Sequence, residues 1–205
     1  NIIIALNILL ITFYYEIYLN KLKSLIMVKS KGYFKMLNSW DLQDLVDHIM
    51  NTHHAYLKAN YPLILKLMEK LDQNSEGDKN IGKIKKLFIE FTDDLALHLV
   101  KEEEILFPYF KKLGESKTTG NKAEPASFGN LERPIEMMEE DHDDSHDTMD
   151  EIKKLTNNFT APADAEPSIH FLYFKLKEFD DDMEVHHEIE NHILFKKASE
   201  IEKEL

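Results

Sequence analysis

HLVKEEEILFPYF at residues 98–110 and EVHHEIENHILF at residues 184–195 decide the fold. Each lies in a longer run whose apolar residues advance by three and four: Ile84, Phe88, Phe91 and Leu95, then Ile105 and Tyr109, in the first; Ile169, Leu172, Leu176, Phe179 and Met183, then Ile193, in the second. That rhythm is the inward stripe of a bundle helix. Both stripes are interrupted by the same pair. His98 and Glu102 stand where apolar residues are expected before Ile105, and His186 and Glu190 stand there before Ile193. Residues i and i+4 lie one above the other on a helix, so each pair faces the core. A buried carboxylate is costly unless it is compensated. Two such pairs on a shared core are most simply compensated by a cation between them.

An internal repeat supports this. His98 to His186 spans 88 residues, as does Glu102 to Glu190. The same offset maps Ile105, Leu106 and Phe107 onto Ile193, Leu194 and Phe195, and Phe91, Asp93 and Asp94 onto Phe179, Asp181 and Asp182. It also maps His54 onto His142 and Met50 onto Met138. Each half therefore offers one His on a first helix and a His-x-x-x-Glu on a second. Two αα-hairpins of this kind predict an all-α, up-down four-helix bundle with one ligand cluster per helix. The expected helices run from Ser39 or Asp41 to about Leu71, from Ile81 to Leu113 with Gly114 as the stop, from Glu132 to about Leu155, and from Pro167 to about Ala198. Pro62 should kink or restart the first. Residues 114–131 and 157–166 have loop composition.

Composition narrows the chemistry. The 205 residues include 38 acidic and 25 basic side chains, a formal net charge of −13, with no basic cluster of the kind nucleic acid requires. There is no cysteine, which excludes disulfides, thiol catalysis and thiolate metal sites in this chain. Ten histidines remain, several beside Asp or Glu. No classical catalytic motif is present.

Residues 2–19 form an N-terminal apolar segment with 15 apolar residues of 18, interrupted by Asn7, Thr12 and Glu16 and followed by Lys21, Lys23, Lys29 and Lys31. This barely meets the requirement for a membrane span. A fragment or non-native upstream sequence, with a start at Met27 or Met36, is the preferred reading over an anchor. As an anchor, it would leave the rest cytoplasmic by the positive-inside rule. The expected division is residues 1–37 as this extension and 38–205 as the bundle.

The candidate metal ligands are His54, His98, Glu102, His142, His186 and Glu190. Imidazole and carboxylate without thiolate suit iron or manganese, with zinc also admissible. Four His and two Glu fit two ions, each taking two imidazoles, with the carboxylates bridging and an oxo or hydroxo group completing the bridge. Periodicity admits either His53 or His54, and the repeat selects His54. His146, four residues after His142, is an additional candidate whose repeat counterpart is Lys58. His187-Glu188 with His192 misses the zinc-protease spacing by one residue, at Asn191. His48 is read as a surface or supporting residue and His170 as exposed. The acidic run from Glu136 to Glu151 reads as a solvated helix face.

At these residues the sequence resembles the haemerythrin-like HHE domain, and within it the repair-of-iron-centres family of di-iron proteins. The matching strings are LVDHIMNTHHAYLKANYP at 45–62, HLVKEEEILFPYF at 98–110, MEEDHDD at 138–144, TNNFTAPADAE at 156–166 and EVHHEIENHILF at 184–195. The resemblance implies the same six ligands and two Fe ions. It also implies a cytoplasmic stress-response protein that repairs Fe–S clusters damaged by nitric oxide or oxidation, with damaged Fe–S proteins as partners. Many members carry a short Cys-bearing N-terminal domain, which has no counterpart in this cysteine-free chain. In oxygen-carrying haemerythrins the last carboxylate follows its His by five residues, the place of Asn191 here. Glu190, at four, fits the repair family, whereas His142-x-x-x-His146 is similar to the carriers. The alternative is therefore a reversible O2 or NO binder, or an iron buffer.

Overall fold

The computed structural model describes residues 31–73, 80–121 and 124–205. The chain divides into two compact units, Asn1–Trp40 and Asp41–Leu205. In the first, residues 31–37 are helical and Ser39 Oγ donates to the Met36 carbonyl at 2.6 Å. The apolar stretch 2–19, with the anchor reading it carries, lies outside the described residues. Among the described residues, no helix is long and apolar enough to cross a membrane.

The second unit is a bundle of four helices. Helix α1 runs through Leu42–Ile49, a π-helical turn Met50–His54, and Ala55–Gln73. Helix α2 comprises Ile81–Lys101, a π turn Glu102–Leu106, and Phe107–Thr119. Helix α3 is Glu132–Leu155, and α4 comprises Pro167–Ile189, a π turn Glu190–Leu194, and Phe195–Glu204. Asp41 caps α1 by accepting from the Asp44 amide at 2.9 Å. Ion pairs between helix ends trace the up-down order. Lys85 reaches back from the start of α2 to Asp72 at the end of α1, and Lys83 reaches Glu151 at the end of α3. Lys153 near the end of α3 meets Asp180 in the first half of α4.

Two expectations about helix ends fail for physical reasons. Helix α1 continues through Pro62 without restarting there; Pro62 and Lys58, whose carbonyl the missing N–H would have met, are both exposed residues. Helix α2 does not stop at Gly114. A Cβ there would meet the Leu42 Cβ at 3.3 Å, so this glycine serves close packing of α1 on α2. The helix ends at Gly120, whose φ of +73° makes it the left-handed cap.

The apolar core lies in two layers with the polar centre between them. One layer packs Phe88 and Phe91 edge-on against Phe179, with Leu57, Leu95 and Met183 around them. The other packs Phe110 against Phe107 and Phe195. The π turns set which residues reach these layers. Each widens the helix by one residue and advances the buried face by about a quarter turn, so the stripe after Glu102 is not the extrapolated one. Ile105, expected inward, is 51% exposed, while Leu106 and Phe107 are buried at 2% and 1%. In α1 the same device brings two consecutive residues, His53 and His54, inside, which is why a regular period admits either.

Urea unfolding tests this phase shift directly. Ile105→Lys should change stability by less than about 0.5 kcal/mol, whereas Leu106→Ala should cost about 2–5 kcal/mol. The reverse order would mean that the π turn at Glu102 is absent.

Candidate metal centre

All six side chains singled out from the sequence converge between the two aromatic layers. They form two overlapping tetrads, His54, Glu102, His186 and Glu190, and His98, Glu102, His142 and Glu190. In each tetrad the donor atoms lie within 4.8 Å of one another and every residue is buried. That is close to the roughly 4.2 Å spanned by two trans nitrogen or oxygen ligands of a first-row metal.

The glutamates belong to both tetrads, and each divides its oxygens between them. Glu102 Oε2 is 3.4 Å from His54 Nε2, and its Oε1 is 3.4 Å from His98 Nε2. Glu190 Oε1 is 2.9 Å from His186 Nε2, and its Oε2 is 3.3 Å from His142 Nε2. Within each tetrad the two imidazole Nε2 atoms are 3.1 Å apart. Both glutamates are 0% exposed, and all four of their oxygens lack a hydrogen-bond partner. Buried carboxylate oxygens are normally satisfied, so four without partners in one place leave room for cations.

The outward face of the cluster is held by a shell that the sequence reading missed. His54 Nδ1 donates to Glu103 at 2.7 Å, and Lys58 clamps the same carboxylate. His98 Nδ1 lies 3.2 Å from Asp141, which Lys101 holds at 2.8 Å. His142 Nδ1 donates to Asn191 Oδ1 at 2.8 Å. Fixing Nδ1–H in this way turns each Nε2 towards the centre. The 88-residue offset held the signal, since it maps Glu103 onto Asn191 and His53 onto Asp141. His53 breaks the pattern. Where Asp141 backs His98, His53 lies flat on His186 with centroids 5.6 Å apart, bonded to Asp182 at 3.1 Å, and His186 Nδ1 is left without a partner.

The remaining histidines stand outside both tetrads. His146 is exposed, with Nε2 3.5 Å from His187 Nδ1, and His187 is buried flat against the His142 ring at 3.8 Å. His48 packs edge-on to His53, His192 pairs with Glu188 in solvent, and His170 is exposed. A cleft of 260 Å³ between α2 and α3, lined by Leu95, His98, Lys101, Asp141 and Ser145 among others, reaches one edge of the centre. A larger cavity of 630 Å³ between Tyr109, Pro125 and Glu202 contains none of the six.

Electrostatics divides the imidazoles. Burial pulls His54 and His98 down, but Glu102 and Glu190, joined for His98 by Asp141, outweigh it and lift both from 6.5 to about 10. Burial dominates at His186 and His187, which fall below 6.5. Burial raises Glu102 and Glu190, yet the surrounding imidazoles hold both below 4.5.

The chain is similar to known proteins. The Hemerythrin HHE cation binding domain matches residues 45–198. The chain is 34% identical over 184 residues to the "Probable iron-sulfur cluster repair protein" of Haemophilus influenzae, covering 87% of this chain and 74% of that protein. It is 29% identical over 158 residues to the "Iron-sulfur cluster repair protein YtfE" of Salmonella newport, covering 77% of this chain and 66% of that protein. The chain thus spans about two thirds to three quarters of the length of these relatives.

Two pH effects follow. At neutral pH the metal-free centre keeps protons on His54 and His98, and filling it displaces them. Calorimetry in buffers of different ionisation enthalpy should read release of about two protons per chain on metal binding; release of none would contradict this protonation. The metal-free chain should be most stable near pH 6.5. Above it, the contribution of His54 and His98, complete below 6.5, is lost as pH rises towards 10. Below it, protons bind the unfolded chain first at His186 and His187, then at the glutamates, and stability falls. Urea midpoints that keep rising from about pH 7 to about pH 9 would contradict the assignment.

Proposed function

The chain belongs to the haemerythrin HHE cation-binding family, and on that footing we propose that it is a di-iron protein that repairs Fe–S clusters, restoring or re-supplying their iron after damage by nitric oxide or oxidants. His54 and His186 would hold one iron, His98 and His142 the other, with Glu102 and Glu190 bridging. One observation carries this reading: two fully buried carboxylates each divide their unpartnered oxygens between two histidine pairs. The donor set fits, since hard oxygen with imidazole and no thiolate suits iron. When bound, such a pair supplies one-electron chemistry and a coordination position for a small ligand such as NO or O2.

The chain's own residues do the rest. Glu103, Asp141 and Asn191 hold the outer ring protons of His54, His98 and His142, and so fix tautomer and ring direction. Phe107 against His54 and Phe195 against His142 limit water at the centre. His146 faces His187 rather than the tetrads, which supports repair over the carriers' His-x-x-x-His arrangement. By extension from the names of the relatives, the partners are damaged Fe–S proteins. The compartment that suits such work is the cytoplasm.

The test is recovery of a nitric-oxide-inactivated Fe–S dehydratase on adding the iron-loaded protein. The parent should restore activity faster than His98→Ala, whose iron affinity should drop at least about tenfold. Equal recovery with parent and variant would overturn the repair role.

A further inference from the structure

We propose that His146 and His187 form a solvent-facing acceptor site for a divalent metal ion, placed on the route into the buried centre. His187 is 3% exposed and His146 is exposed, so the pair joins the inside of the bundle to its surface along the α3–α4 seam. Their facing nitrogens, His187 Nδ1 and His146 Nε2, are 3.5 Å apart. That is long for a hydrogen bond, whose heavy atoms prefer about 2.9–3.0 Å. It matches the roughly 3.4 Å between two nitrogens that share one tetrahedral ion at 2.0–2.1 Å.

Position links this pair to the centre. The His187 ring lies flat on that of His142, one of the six inner donors, and His187 Nε2 is buried without a partner. His146 is one helical turn beyond His142 on the same face of α3. Around it, Asp143, Asp147 and Asp150 are exposed and concentrate cations near the seam. Among the described residues, no third His or carboxylate joins the pair at ligand spacing, whereas each inner tetrad offers four donors. Two protein nitrogens completed by water hold an ion loosely and exchange it, as transit requires. The pair itself lies outside the six residues, but its place on a route rests on reading those six as the metal centre.

The experiment uses Co(II), followed by its visible absorption, on the full chain, His146→Ala and His170→Ala. His170 is a second exposed histidine of the same bundle and serves as control. Metal-free parent should take up two ions and load at least about tenfold faster than His146→Ala, with the same final occupancy of the centre. His170→Ala should match the parent. With the centre already filled, equilibrium dialysis should find one further ion on the parent, held at least about tenfold more weakly by His146→Ala. Equal binding of the further ion by parent and His146→Ala overturns the site, and equal loading rates overturn its place on the route. A parent that never takes up the first two ions would instead defeat the reading of the buried centre.

Discussion

Two carboxylates buried among imidazoles are the constraint around which this bundle is arranged. Glu102 and Glu190 sit at zero exposure between two layers of phenylalanine, where an uncompensated ionised carboxyl cannot persist. In the metal-free chain the compensation comes from imidazoles, two of them lifted to about 10 so that they stay charged at neutral pH. On the reading of these six groups as a metal centre, ions would replace those protons, and binding would be coupled to proton release. Every helix contributes because the carboxylates come from α2 and α4 alone, while two of their four histidine partners come from α1 and α3.

Much of this was legible in the sequence because ligand chemistry tolerates few residue types. His98 and Glu102 recur as His186 and Glu190, and His54 as His142, so the offset of 88 residues survives where surrounding residues have changed. The supporting shell was hidden for the opposite reason. A ring N–H can be held by Glu103, Asp141 or Asn191, and unlike residues at equivalent positions do not register as a repeat. The π turns were hidden as well. Periodicity assumes one rise per residue, so it carried the stripe through Glu102 to Ile105, which the structure places in solvent. Three of the four helices carry such a turn at a ligand, Met50–His54, Glu102–Leu106 and Glu190–Leu194. The widened backbone lets consecutive residues face inward, so that His54 enters the centre while His53 packs beside it.

The two halves are similar without being equal. Each tetrad has one histidine backed by a carboxylate that a lysine also holds, His54 through Glu103 and Lys58, and His98 through Asp141 and Lys101. The second histidine of each differs. His142 is held by the neutral amide of Asn191, and His186 by no hydrogen bond at Nδ1, because His53 stands where the other half has Asp141. A carboxylate partner raises the basicity of an imidazole ligand and fixes its ring. The imidazoles of the tetrad containing His186 are thus the less tightly oriented.

Six side chains so placed should grip a pair of metal ions rather than one or none. Iron analysis with Mössbauer spectroscopy on the iron-loaded chain tests it most directly. Two irons per chain are expected, coupled antiferromagnetically through shared ligands and both reduced to substoichiometric occupancy by Glu102→Ala. A single iron per chain, or two irons without magnetic coupling, would contradict it.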